Sequence, residues 1–154
     1  GGSTVSNYMI GDNGTLLPLQ TFTFQGPTGP HPNQDKSHPH QVILDPTEQF
    51  IIVPDLGSDL LRIFKIDQET SRFIEQDSIF VSPGYGPRHG AFLRTEDQPS
   101  ERTYFFLISE LGNKVSSYAV SAKHGSLDFN LVANYDVLNM SPPSGLFSAE
   151  LGIS

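Results

Sequence analysis

Short apolar runs broken by turn residues recur along the whole chain. Gln41-Val42-Ile43-Leu44 is followed by Asp45-Pro46-Thr47-Glu48, then by Phe50-Ile51-Ile52-Val53, a turn at Gly57, and the apolar stretch Leu60–Ile66. Runs this short, rich in β-branched and aromatic residues and bounded by Pro, Asp and Gly, predict strands joined by tight turns. A fourth run covers 72–81 and stops at Pro83-Gly84-Tyr85-Gly86-Pro87. The same order then returns at 91–93, 104–108, 115–120 and 127–137. Residues 50–53 and 104–108 are apolar without alternation, as in strands covered on both faces. No stretch keeps a 3.6-residue apolar period over helical length, so almost no helix is expected.

The turns carry an internal repeat. Asp55-Leu56-Gly57-Ser58-Asp59-Leu60 lines up with Glu110-Leu111-Gly112-Asn113-Lys114-Val115, placing the two glycines 55 residues apart, and the same step back from Gly57 reaches Gly2-Ser3-Thr4-Val5. In this alignment Asp55 corresponds to Glu110 and His40 to His89, and Gly57 and Gly112 are expected to supply positive φ at the turns. Four antiparallel strands at a period of roughly 40 to 50 residues mark β-propeller blades. The expected architecture is all-β: the end of one blade at 1–26, complete blades at 38–82 and 87–138, and a first strand at 146–154. In that last segment Ala149-Glu150-Leu151-Gly152-Ile153-Ser154 aligns with 40–45. A propeller closes with roughly four to eight blades, so the chain is expected to be part of a longer propeller or to pair with other chains.

Composition narrows the partners. The formal net charge is -8 and no run of Lys or Arg occurs, which disfavours nucleic acid. No segment approaches the roughly 18 apolar residues of a membrane span. With no cysteine, disulfides and thiolate metal sites are excluded. The expected location is cytoplasmic, with the sequons at Asn13 and Asn139 keeping secretion open.

Blade geometry brings the start of each first strand beside the end of the second, so His38, His40, Arg88 and His89 share one rim with Asp55 and Glu110. An imidazole, a guanidinium and carboxylates around one funnel can grip an anion and move a proton. Against this, Asp55 also suits a turn role, bonding backbone amides. No metal site is expected, including at His38 and His40, and no cofactor. His31 and His124 read as surface residues, and the Pro/Gly-rich loop from Gln25 to Ser37 as a rim lid. The polar stretch from Thr95 to Arg102 reads as an insertion at the opposite rim.

His38-Pro39-His40, Asp45-Pro46, Pro54-Asp55-Leu56-Gly57, Gly86-Pro87-Arg88-His89 and Glu110-Leu111-Gly112-Asn113 resemble the lactonase-type seven-bladed propellers. That group includes 6-phosphogluconolactonases and fungal carboxy-cis,cis-muconate cyclases, and the resemblance is read as nearer to the cyclases. It implies lactone chemistry on a small anionic substrate, with His40, Arg88 and Glu110 catalytic, His38, Asp55 and His89 binding substrate, and a second arginine in a later blade. The cyclase would close a ring on a polycarboxylate; the alternative is a 6-phosphogluconolactonase-like hydrolase. A propeller that only binds a protein partner, through aromatics such as Tyr85 and Phe147, is the reading from a different class.

Overall fold

The computed structural model describes residues 2–95, 102–123, 125–138 and 145–153. His124, the Asn139 sequon and residues 96–101 of the polar insertion lie outside them. Three antiparallel sheets follow one another along the chain. β1 (Thr4–Ile10) and β2 (Leu16–Thr23) form a hairpin. The second sheet contains β3 (Ile43–Leu44), β4 (Phe50–Asp55), β5 (Leu60–Ile66), β6 (Phe73–Glu75) and β7 (Ile79–Phe80). The third holds β8 (Pro87–Thr95), β9 (Arg102–Ser109), β10 (Lys114–Lys123) and β11 (Ser126–Asp136) in the order β11-β10-β9-β8. Among the described residues the only helical turn is a 3-10 turn at Leu56–Ser58, and no helix is long and apolar enough to cross a membrane.

β4 explains the stacking. Successive side chains of a strand point to opposite faces, and all six residues of β4 are buried. Phe50 and Ile52 join Ile43, Leu61, Ile63, Phe105, Leu107 and Tyr118 in the core toward the third sheet. Ile51 and Val53 join Val5, Phe24 and Phe64 in the core toward the hairpin. Each fully covered aliphatic side chain contributes about 1.5–3 kcal/mol. A strand with no polar face is thus what a middle sheet between two neighbours requires.

The fourth strand of the second sheet is interrupted. The run at 72–81 divides into β6, which pairs with Phe64 to Ile66, and β7, which pairs with Leu60 and Leu61. Residues 145–153 pair with no strand among the described residues.

The turns repeat more regularly than their sequences do. Ser3, Asp59 and Asn113 all adopt the left-handed conformation, with φ of 54°, 51° and 48°, and each directly precedes the third strand of its blade. Each side chain then reaches forward to the segment leading into the next blade. Ser3 Oγ donates to Ser37 O at 2.7 Å, and the Asp59 carboxylate accepts from Gly84 N at 2.7 Å and Gly86 N at 2.8 Å. Asn113 holds Leu146 O and the Ser148 hydroxyl at 2.9 and 2.8 Å. Gly57 and Gly112, expected to carry the positive φ, do not. They are needed for space: a Cβ on Gly57 would lie 1.6 Å from Lys36 O, and one on Gly112 would press on Tyr85 at 3.1 Å.

This regularity corrects the repeat alignment by one residue. Pro39 bridges Asp55 just as Pro87 pairs with Ser109. Leu56 N donates to His38 O just as Glu110 N donates to Gly86 O. Asp55 therefore corresponds to Ser109, Leu56 to Glu110, and His40 to Arg88. A one-residue slip reverses the face a strand residue presents.

Candidate functional site

His40 follows the Pro39–Asp55 bridge, and its N–H donates to Pro54 O at 3.0 Å, which fixes the start of its blade to the end of β4. Arg88 and His89 stand at the start of β8. They are neighbours in sequence, yet both reach the rim because the register shifts between Pro87 and His89, leaving Arg88 as an extra residue. Bulges of this kind re-aim a side chain next to a site. The Asp59 carboxylate holds the loop before them through Gly84 and Gly86.

Four of the predicted residues converge. Arg88 Nη1 donates to Glu110 Oε2, a pair with side chains 27% and 16% exposed. The His40 and His89 rings lie 6.5 Å apart at an interplanar angle of 72°. Partial burial of the His40 ring pushes its pKa below the ordinary histidine value; the Arg88 guanidinium pushes the same way, while Glu110 opposes. The ring keeps an open side to solvent and borders a cleft lined by Thr4, Val5, Ser6, Pro39, Gln41 and Val42. A neutral imidazole beside a guanidinium fixed by a carboxylate can accept a proton while the cation meets developing negative charge.

The other two predicted residues serve differently. Asp55 is 0% exposed; its Oδ2 accepts from Ser37 Oγ at 2.6 Å and Arg62 Nε at 2.8 Å, and its Oδ1 accepts from His38 N at 2.7 Å. Sealed and fully partnered, it braces the rim rather than touching a substrate, so the substrate contact expected of it is corrected. The physical reason is the register: Asp55 shares its position with Ser109, and faces away from where Glu110 points. His38 turns its ring to Asp35, with Nε2 at 2.9 Å from Oδ1.

Sequence reasoning missed Glu150. Its Oε2 lies 3.0 Å from His89 Nδ1. Its segment is placed by Ser148, whose N–H donates to Glu110 O at 3.3 Å and whose hydroxyl donates to Asn113 Oδ1 at 2.8 Å. The contact between Glu150 and His89 joins side chains 61 residues apart, and only the folded chain brings them together. Among the described residues no group of three His, Cys, Asp or Glu side chains could hold a metal.

The loop expected as a lid is anchored instead. Gln34, 1% exposed, donates to Leu56 O at 2.8 Å, and Gly29 N donates to Gly57 O at 2.9 Å. His31 meets Phe147 edge-on at 6.3 Å. Tyr85 packs against the core and Gly112, which removes it as an exposed docking aromatic.

Stacked antiparallel sheets with polar groups gathered where first strands begin and second strands end define part of a β-propeller with a rim site. The family model described as Lactonase, 7-bladed beta-propeller matches residues 1–154, and the chain belongs to that family. An Arthroderma benhamiae protein named "Probable 6-phosphogluconolactonase" is 40% identical over 122 residues, covering 78% of this chain and 30% of that protein. A 6-phosphogluconolactonase of Formosa agariphila is 30% identical over 155 residues, covering 98% of this chain and 41% of its own. A Lactobacillus plantarum protein of known crystal structure superposes with a TM-score of 0.75 at 28% identity, covering 94% of this chain and 38% of the other. The chain thus spans well under half the length of these relatives. The names of the two sequence relatives favour the lactone hydrolase over the cyclase reading, which they do not support.

Proposed function

We propose that this chain supplies rim residues to a propeller that hydrolyses the lactone of an anionic sugar acid, of the 6-phosphogluconolactone type. The observation that carries the reading is the Arg88–Glu110 pair set beside a His40 whose protonation is disfavoured by burial and by Arg88. Kept neutral, His40 accepts a proton from water as the oxygen attacks the lactone carbonyl carbon. Arg88, oriented by Glu110, stabilises the oxyanion that forms on the carbonyl oxygen. Collapse breaks the bond to the ring oxygen and opens the lactone to a hydroxy acid. The names of the curated relatives support the phosphorylated gluconolactone as substrate.

The test is hydrolysis of 6-phosphogluconolactone by the complete propeller, coupled to oxidation of the released 6-phosphogluconate and corrected for spontaneous opening. His40→Ala should lower kcat by about 10²–10⁴-fold, and Arg88→Ala by about 10²–10³-fold. No acceleration above the spontaneous rate, or turnover of 3-carboxymuconate in its place, would overturn the reading.

A further inference from the structure

The rim holds one more carboxylate than the mechanism above uses. Glu150 lies on the segment that follows the third sheet, which Asn113 holds at Leu146 O and at the Ser148 hydroxyl. The segment is further held by Ser148 N on Glu110 O and by Phe147 against His31. From there the Glu150 carboxylate meets His89 Nδ1 at 3.0 Å. The Glu150 side chain is 78% exposed and that of His89 only 19%, so the contact is made at the mouth of the site with the imidazole set into it.

A carboxylate on one ring nitrogen keeps the proton there and orients the other nitrogen. His40 lacks such a partner and takes up the proton of the attacking water, so the imidazole held by a carboxylate is a second group able to serve the leaving oxygen. We propose that Glu150 is a positioning residue of this site, and that the His89 it orients is the proton donor to the ring oxygen of the lactone. The inference rests on the lactone-hydrolase reading. Water loses a proton to His40 as its oxygen bonds to the carbonyl carbon. When the tetrahedral intermediate collapses, the carbon–oxygen ring bond breaks, its electron pair passes to the ring oxygen, and that oxygen takes the Nε2 proton of the His89 imidazolium, which leaves a neutral ring with its proton on Nδ1. His89 is reprotonated from solvent and His40 returns its proton to solvent, so hydrolysis releases one proton net when the product acid ionises.

A proton donor matters only for a leaving group that needs one. In the complete propeller, Glu150→Gln should lower kcat for an aliphatic sugar lactone by about 10–100-fold, the usual cost of removing an orienting partner, with KM within about twofold. On dihydrocoumarin, whose leaving oxygen is a phenolate, the same substitution should change kcat less than about threefold, since a phenolate leaves without help. Equal losses on both lactones, or none on the aliphatic one, would overturn the assignment. Nitrogen-15 spectra of the His89 ring in the unsubstituted protein supply a reading free of turnover: the neutral ring should carry its proton on Nδ1, and a proton on Nε2 would overturn the pairing. If the unsubstituted protein opens neither lactone, the hydrolase reading falls with the donor role, while the spectra still decide the Glu150–His89 contact. If it opens both and only His40→Ala matters, the donor role falls alone.

Discussion

Two influences act on His40 in the same direction. The ring is partly withdrawn from water, which penalises its cation, and the fixed charge of Arg88 repels that cation; His89 and His38 add to the effect, and only Glu110 works against it. The acid limb of the kcat/KM profile should therefore lie below the ordinary histidine value of 6.5. Glu110→Gln removes the one opposing charge, so the limb should move to still lower pH. A limb at or above 6.5 in the unsubstituted protein, or an upward shift in the variant, would refute this account. The sign follows from the charges: a carboxylate stabilises the imidazolium, and without it protonation requires more acid.

At the scale of elements, the buried Asp55–Arg62 pair joins four pieces of chain. Asp55 ends β4, Arg62 lies on β5, Ser37 and His38 lead into the rim, and the Arg62 guanidinium sits 3.8 Å from the centroid of the Phe24 ring. Asp55→Ala leaves an unpaired buried cation and should cost about 3–5 kcal/mol, read as a lower urea midpoint at unchanged slope. A loss below about 1 kcal/mol would mean the brace is dispensable. The strands themselves were legible in sequence because burial on both faces leaves an unbroken apolar run, as at Phe50 to Val53. The gathering of His40, Arg88, His89 and Glu110 was legible because blade geometry fixes where strands begin and end. The role of Asp55 and the presence of Glu150 were not. The first depends on a register one residue away from the best match of letters, since the acidic-Leu-Gly signature aligns Asp55 with Glu110 while the backbone aligns it with Ser109, and the second on a contact between side chains 61 residues apart. Letter matching has no access to which carbonyl an amide chooses.

For the whole molecule, the unfinished surfaces decide behaviour in solution. Leu131, Val132 and Tyr135 are more than half exposed on β11, as are Met9, Ile10 and Leu16 on the hairpin, and β1 has one sheet neighbour among the described residues. Apolar faces and open strand edges favour association. Residues 1–154 produced alone should self-associate, or take up the remaining blades when these are supplied. Light scattering gives the mass, and a stable monomer that unfolds cooperatively would contradict the expectation.

The forward-reaching turn residues carry a consequence for biosynthesis. Ser3, Asp59 and Asn113 each secure chain that is made later than they are. Translation runs from the N-terminus, so every rim position stays unlatched until the ribosome has delivered the stretch that follows the intervening strands. His40 is secured early, Arg88 and His89 next, and Glu150 last. The rim segments can thus be latched one after another, in the order in which they emerge.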